Sequence, residues 1–125
     1  MEKPLALVIE DHEDLAIVFR KALQLANFAV EIVMDGAIAQ QRLTEVVPVL
    51  VVLDLHLPNI PGETLLRQIR SDTRLATTRV MLATADSALA TELEGKADVV
   101  LLKPVSIAQL SALAARFYPH ATKEE

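Results

Sequence analysis

The chain has no cysteine and no tryptophan, and only 3% of its residues are aromatic. Without cysteine it can form neither a disulfide nor a thiolate metal site, and it cannot use a thiol nucleophile. Because 52% of the residues are hydrophobic, the core must instead be built from aliphatic side chains. Such a composition is typical of buried strands covered by helices.

Long basic and long apolar runs are also missing. Arg20 and Lys21 form the only adjacent basic pair, and the net charge of −5 argues against direct binding to nucleic acid. No apolar stretch reaches the roughly 18 residues needed to span a membrane, and the amino terminus has no signal-peptide pattern. We therefore expect a cytoplasmic domain that binds neither membranes nor nucleic acid.

The hydrophobic pattern predicts one domain over residues 1–125, with a core over about 4–117 and a polar tail or linker start over 118–125. Short apolar runs alternate with segments of helical periodicity, which predicts a doubly wound α/β fold. The predicted strands are 5–9, 29–33, 49–53, 80–83 and 99–102, and the predicted helices are 14–26, 37–46, 62–71, 87–94 and about 106–117. This alternation demands a parallel five-stranded sheet with helices on both faces.

Polar side chains follow four of these apolar strands. Glu10 and Asp11 follow the first strand, Asp54 the third, Thr84 the fourth and Lys103 the fifth. The carboxyl ends of parallel strands meet at one edge of the sheet, where open α/β folds bind ligands. Acids and hydroxyls after strands also commonly cap the next helix, so the convergence of all five residues is what favours a site.

Three neighbouring carboxylates repel one another, by about 4 kcal/mol per pair at about 4 Å and an effective dielectric constant of about 20. A hard cation bound by oxygen ligands, Mg²⁺ or alternatively Mn²⁺, relieves that repulsion. His12 and His56 lie beside these acids and would suit a transition metal. Since nothing places both histidines on one surface, partly exposed loop positions are the favoured interpretation.

The ordered set of motifs resembles the response-regulator receiver domain of two-component signalling, across about residues 4–117. The matching segments are Val8-Ile9-Glu10-Asp11, Asp54, Leu55-His56-Leu57-Pro58 leading to Gly62, Thr84-Ala85, and Lys103-Pro104. The resemblance implies a flavodoxin-like fold with strand order 2-1-3-4-5. It also implies a cis peptide bond before Pro104.

Carried over residue by residue, the resemblance implies that Asp54 accepts a phosphoryl group from a histidine kinase or a histidine phosphotransfer protein. Asp11, Asp54 and the backbone carbonyl of His56 would bind Mg²⁺, with Glu10 acting mainly through water. Lys103 and Thr84 would hold the phosphoryl oxygens. Such a domain is a phospho-acceptor rather than an enzyme, and it switches an output domain or effector that the sequence does not identify.

The sequence departs from the family pattern in two features that do not take part in the phosphorylation chemistry. The position three residues before Lys103, often aromatic in the family, is Val100. The interval from Thr84 to Lys103 is also shorter than usual, which trims the fourth helix. Both departures lie on the surface through which many receivers signal.

Three other functions fit the sequence less well. A degenerate receiver would act only as an interaction module, but every phosphorylation residue is present. An aspartate-nucleophile phosphohydrolase usually has a second aspartate two residues after the nucleophile, where this chain has His56. A flavodoxin-like flavin binder would need a phosphate-binding loop after the first strand, where Glu10 and Asp11 would repel phosphate.

Overall fold

Five parallel strands form a single sheet in the order β2-β1-β3-β4-β5. The computed structural model describes residues 2–119, so the last six residues of the predicted tail, 120–125, lie outside the described residues. The strands are β1 (Leu5–Ile9), β2 (Ala29–Val33), β3 (Leu50–Asp54), β4 (Arg79–Thr84) and β5 (Val99–Leu102). The predicted doubly wound fold and strand order are confirmed.

Helices connect successive strands and cover both faces of the sheet. They are α1 (Glu13–Leu25), α2 (Gly36–Arg42), α3 (Gly62–Ser71), α4 (Ser87–Glu92) and α5 (Ile107–Ala115). Within the described residues, none of these helices is long and apolar enough to cross a membrane.

Side chains alternate between two aliphatic cores, one on each face of the sheet. Val8 and Val52 face the core under α1 and α5, whereas Leu7 and Val51 face the core under α2 and α3. All five residues of β3 are buried, as expected for a central strand covered on both sides.

Several predicted helix ends are wrong by a few residues. Helix α2 ends at Arg42 rather than at residue 46, because Thr44 turns the chain: its N–H and its hydroxyl both bond to the carbonyl of Gln41. Helix α4 ends at Glu92 and α5 at Ala115, both earlier than predicted. A short 3₁₀ helix at Thr73–Leu75 lies between α3 and β4, where the hydrophobic pattern predicts neither a helix nor a strand.

Side chains cap the starts of α2 and α5. Asp35 accepts hydrogen bonds from the N–H groups of Ala37 and Ile38 at the start of α2, and Ser106 caps α5 through the N–H of Gln109. Asn27 follows the end of α1 with a φ of 73°, a left-handed conformation that commonly terminates helices. These caps fix where each helix leaves the sheet edge.

Asp98 organises the opposite edge of the sheet, at the amino ends of β4 and β5. Its carboxylate accepts a 2.8 Å hydrogen bond from the N–H of Val80. It also pairs with Arg70 at 2.9 Å and with Arg79 at 3.1 Å. The Asp98 cluster therefore ties β4 and β5 to α3 at the edge remote from the converging acids.

The strand register brings the predicted site residues to the carboxyl edge. Ile9 of β1 lies opposite Leu53 of β3, so Glu10 and Asp54 follow paired residues. In β4, Ala83 pairs with Asp54 and Thr84 pairs with Leu102, the residue before Lys103.

Candidate functional site

Asp54 is the central carboxylate of this edge. It ends β3 and only 2% of its surface is exposed, with its Oδ1 accepting a 3.2 Å hydrogen bond from the N–H of His56. Gly62, the first residue of α3, lies directly against the Asp54 carbonyl. The chain therefore reverses tightly after β3, and α3 packs under the acid.

Glu10 and Asp11 follow β1 and differ in their exposure. Glu10 is buried, and one of its carboxylate oxygens accepts a 3.2 Å hydrogen bond from the N–H of His12. Asp11 is exposed. The pair thus offers one acid held by the protein and one facing solvent.

Lys103 joins the two buried acids. Its Nζ lies 3.1 Å from Glu10 Oε1 and 3.1 Å from Asp54 Oδ1, and 17% of its side chain is exposed. Its own N–H donates a 2.8 Å hydrogen bond to the carbonyl of Thr84, which anchors the backbone at this edge. The Lys103–Pro104 bond is cis, as predicted.

The burial of these charges perturbs their protonation equilibria. Burial, followed by the negative charge of Asp54, raises the pKa of Glu10, although the N–H of His12 and the charge of Lys103 oppose that rise. Burial works against the charged form of Lys103, but the charges of Glu10 and Asp54 outweigh it and raise the pKa of that ammonium. Lys103 therefore stays positively charged at neutral pH.

The three acids together form a group able to hold a metal ion. Glu10, Asp11 and Asp54 each offer a carboxylate oxygen, and these oxygens all lie within 4.8 Å of one another. With all three ionised, the ammonium of Lys103 leaves a net charge of −2, which a divalent cation would neutralise. An all-oxygen donor set open to solvent at Asp11 fits a hard cation such as Mg²⁺.

Neither predicted candidate for a transition metal belongs to this group. His12 caps α1, its Nδ1 accepting a 3.4 Å hydrogen bond from the N–H of Leu15. His56 is exposed and turns its ring toward Thr84. The role of the His56 carbonyl as a further metal ligand stays a prediction.

Thr84 is fully buried, and its hydroxyl makes two hydrogen bonds within the protein. His56 Nε2 lies 3.0 Å from Thr84 Oγ1, and the N–H of Asp86 donates to the same oxygen at 3.0 Å. The sequence interpretation assigned His56 only a backbone role and missed this side-chain contact. The one sequence signal for it was the place of both residues at the ends of neighbouring strands.

Val100 is half-buried and packs against the core under α2 and α3. Helix α4 has six residues; that it is shorter than is usual in the family stays a prediction.

The arrangement as a whole suits transfer of a phosphoryl group. A buried carboxylate oxygen lies beside an ammonium and two further acids able to hold a cation, with a hydroxyl at the next strand. Phosphoryl transfer depends on positioning and on neutralising charge on the transferred oxygens, and these groups supply both.

Comparisons with known proteins agree with this geometry. The sequence model of the response regulator receiver domain family matches residues 6–115. The transcriptional regulatory protein TctD of Salmonella typhimurium is 37% identical over 109 residues, which are 85% of this chain and 48% of that protein. The chain spans about half the length of most of the curated relatives it matches.

Solved structures show the same fold. A signal receiver domain from Vibrio parahaemolyticus is 30% identical with a TM-score of 0.82, covering 92% of this chain and 89% of that one. A CheY-like response regulator receiver domain from Methylobacillus flagellatus is 25% identical with a TM-score of 0.79, covering 93% of this chain and 99% of that one.

Proposed function

The chain belongs to the response regulator receiver domain family, and we propose that it accepts a phosphoryl group on Asp54. The observation that carries this proposal is the contact of Lys103 with the buried Asp54 at 3.1 Å, within a cluster of acids that fits a divalent cation. The domain is then a stoichiometric acceptor rather than an enzyme acting on a separate substrate.

In the transfer, a carboxylate oxygen of Asp54 forms a bond to the phosphorus of a phosphohistidine. The phosphorus–nitrogen bond of the donor breaks, and the histidine nitrogen keeps the electron pair. Lys103 would hold a phosphoryl oxygen, and the hydroxyl of Thr84 would donate to another.

Glu10, Asp11 and Asp54 would hold Mg²⁺, with the His56 carbonyl as a further predicted ligand. When bound, the ion supplies positive charge that neutralises the acids and the incoming phosphoryl oxygens. The protein residues themselves orient the acceptor: the N–H of His56 fixes Asp54 Oδ1 at 3.2 Å.

The donor that we propose is a histidine kinase or a histidine phosphotransfer protein, in the cytoplasm. The phosphorylated state would be read by an output domain or a separate effector. Relatives such as TctD are about twice as long as this chain and are transcriptional regulators, which supports an output in transcription. With its net charge of −5, the receiver itself is a poor binder of nucleic acid.

Phosphorylation is tested by incubating the protein with acetyl phosphate and Mg²⁺, followed by intact-mass measurement. We expect the mass of one phosphoryl group on the wild type, none on Asp54→Asn, and none when EDTA replaces Mg²⁺. Asp72→Asn is the matched control, because Asp72 lies at the far end of α3 and asparagine can keep its cap on Arg74. Equal labelling of wild type and Asp54→Asn would contradict the proposal.

A further inference from the structure

His56 makes a side-chain contact that joins two parts of the site. Its Nε2 lies 3.0 Å from the hydroxyl of Thr84, although the ring itself is exposed and the threonine is fully buried. The backbone N–H of the same residue donates to Asp54 Oδ1 at 3.2 Å. One residue is therefore bonded both to the acceptor carboxylate and to the hydroxyl one strand away.

The hydroxyl of Thr84 has one proton and two lone pairs to share. The N–H of Asp86 occupies one lone pair at 3.0 Å. The imidazole of His56 takes either the proton or the second lone pair, according to its tautomer. Where Nε2 accepts the proton, the hydroxyl has none left for a group on Asp54, so donation to such a group breaks the contact with His56.

We propose that His56, with Nε2 accepting the Thr84 proton, is a positioning residue that holds the Thr84 hydroxyl in its unphosphorylated arrangement. This inference rests on the proposed function, because it assumes that Thr84 turns to a phosphoryl group on Asp54. Engagement of Thr84 then requires the loss of the His56–Thr84 hydrogen bond. The contact lowers the affinity of the site for a phosphoryl group and shortens the time that the activated arrangement persists.

A purely structural role for His56 predicts a different pattern. If the ring only covers the loop after β3, its replacement changes the free energy of unfolding but has the same effect on ligand binding with or without the Thr84 hydroxyl. A holding role predicts an effect on binding that disappears when the hydroxyl is removed. A double-mutant cycle separates the two roles.

The experiment measures binding of beryllofluoride, a phosphoryl mimic, in the presence of Mg²⁺ by ¹⁹F NMR. His56→Phe keeps an aromatic ring but removes both nitrogens, and Thr84→Val keeps the shape of the buried side chain but removes the hydroxyl. Thr84→Ala serves as a second background if Thr84→Val does not fold. His12→Asn is the matched control, because it removes an imidazole beside the same acids while retaining a side chain able to cap α1.

We expect His56→Phe to bind beryllofluoride about three- to tenfold more tightly than the wild type, the range set by one net hydrogen bond. In the Thr84→Val background the same replacement should have no effect, and His12→Asn should bind like the wild type. Equal effects of His56→Phe in both backgrounds, or no effect in either, would overturn the inference while the proposed function stands. Absence of beryllofluoride binding to the wild type would overturn both.

Discussion

Gly62 offers a sharp test of how closely the site depends on the fold beneath it. A Cβ atom at this position would lie 2.6 Å from the carbonyl oxygen of Asp54 and 2.6 Å from the Cα of Leu55. Ordinary contacts of a Cβ begin at 3.4 Å. Both neighbours are backbone atoms, so no side-chain rotation can relieve the clash, and Gly62→Ala must displace the end of β3 that holds the acceptor.

The expected size of this effect follows from two opposing terms. Overpacking typically costs about 1–3 kcal/mol, and clashes with rigid backbone place Gly62→Ala near the upper end. Alanine also reduces the conformational entropy of the unfolded chain, which stabilises the folded state by about 0.4–1 kcal/mol. We therefore expect a net loss of about 2 kcal/mol in the free energy of unfolding, or about 8 °C in Tm for a domain of this size.

Urea unfolding followed by circular dichroism measures the stability, and labelling by acetyl phosphate measures the position of Asp54. Gly95→Ala is the control, because no atom lies within 4 Å of its Cβ and only its φ of 87° opposes the substitution. We expect Gly95→Ala to lose about 1 kcal/mol and to be labelled at the wild-type rate. The reasoning is refuted if Gly62→Ala is as stable as Gly95→Ala or is labelled as quickly as the wild type.

Three further predictions concern charge and assembly. Burial opposes ionisation of Asp98, but its hydrogen bonds to a backbone N–H and to two arginines lower its pKa below the ordinary 3.8. The carboxylate therefore stabilises the fold above about pH 4, and this stabilisation is lost as the pH falls through the folded-state pKa. In urea unfolding, Asp98→Asn should reduce the loss of stability that occurs at acid pH. Lys103→Met leaves two buried acids without their cation and should cost about 3–5 kcal/mol in EDTA, with Mg²⁺ restoring more stability to the variant than to the wild type; an equal Mg²⁺ response in both would contradict this. Since Val100 provides no aromatic ring and α4 is short, beryllofluoride should leave the protein largely monomeric in sedimentation velocity, and a strong activated dimer through α4, β5 and α5 would show this wrong.

The strands and the edge of the site were predictable because they depend on simple patterns. A run such as Val49 to Leu53 is apolar throughout, which marks a strand buried on both faces. Because the strands are parallel, Glu10, Asp54 and Lys103 all lie at the carboxyl edge of the sheet. The structure brings these three side chains into direct contact.

Helix ends were harder to predict, because a side-chain hydrogen bond to the backbone can end a helix before its apolar pattern ends. The apolar pattern continues past Arg42 through Leu43 and Val46, and it favours a longer α2 than the structure has. The hydroxyl of Thr44 bonds instead to the carbonyl of Gln41. Periodicity does not register such side-chain bonds to the backbone.

The sequence placed His56 and Thr84 after neighbouring strands, but it did not predict that their side chains are in contact. Sequence reasoning placed His56 in a loop as a partly exposed residue, and the structure places it in a loop and exposed. Which way an exposed ring turns depends on the path of the loop after β3. That path is set by the close approach of Gly62 to Asp54, a three-dimensional feature with no periodic signature.

The two groups proposed to hold a phosphoryl group are already engaged before any phosphoryl group arrives. Lys103 is bonded to Glu10 and Asp54, and the hydroxyl of Thr84 is bonded to His56 and Asp86. Phosphorylation at Asp54 would thus exchange hydrogen bonds rather than add them, and a typical net bond contributes only about 0.5–1.5 kcal/mol. Because each gain is offset by a loss, the two arrangements differ by a small free energy. A small difference lets one covalent change on Asp54 reverse the preference between them, and this balance is what a switch requires.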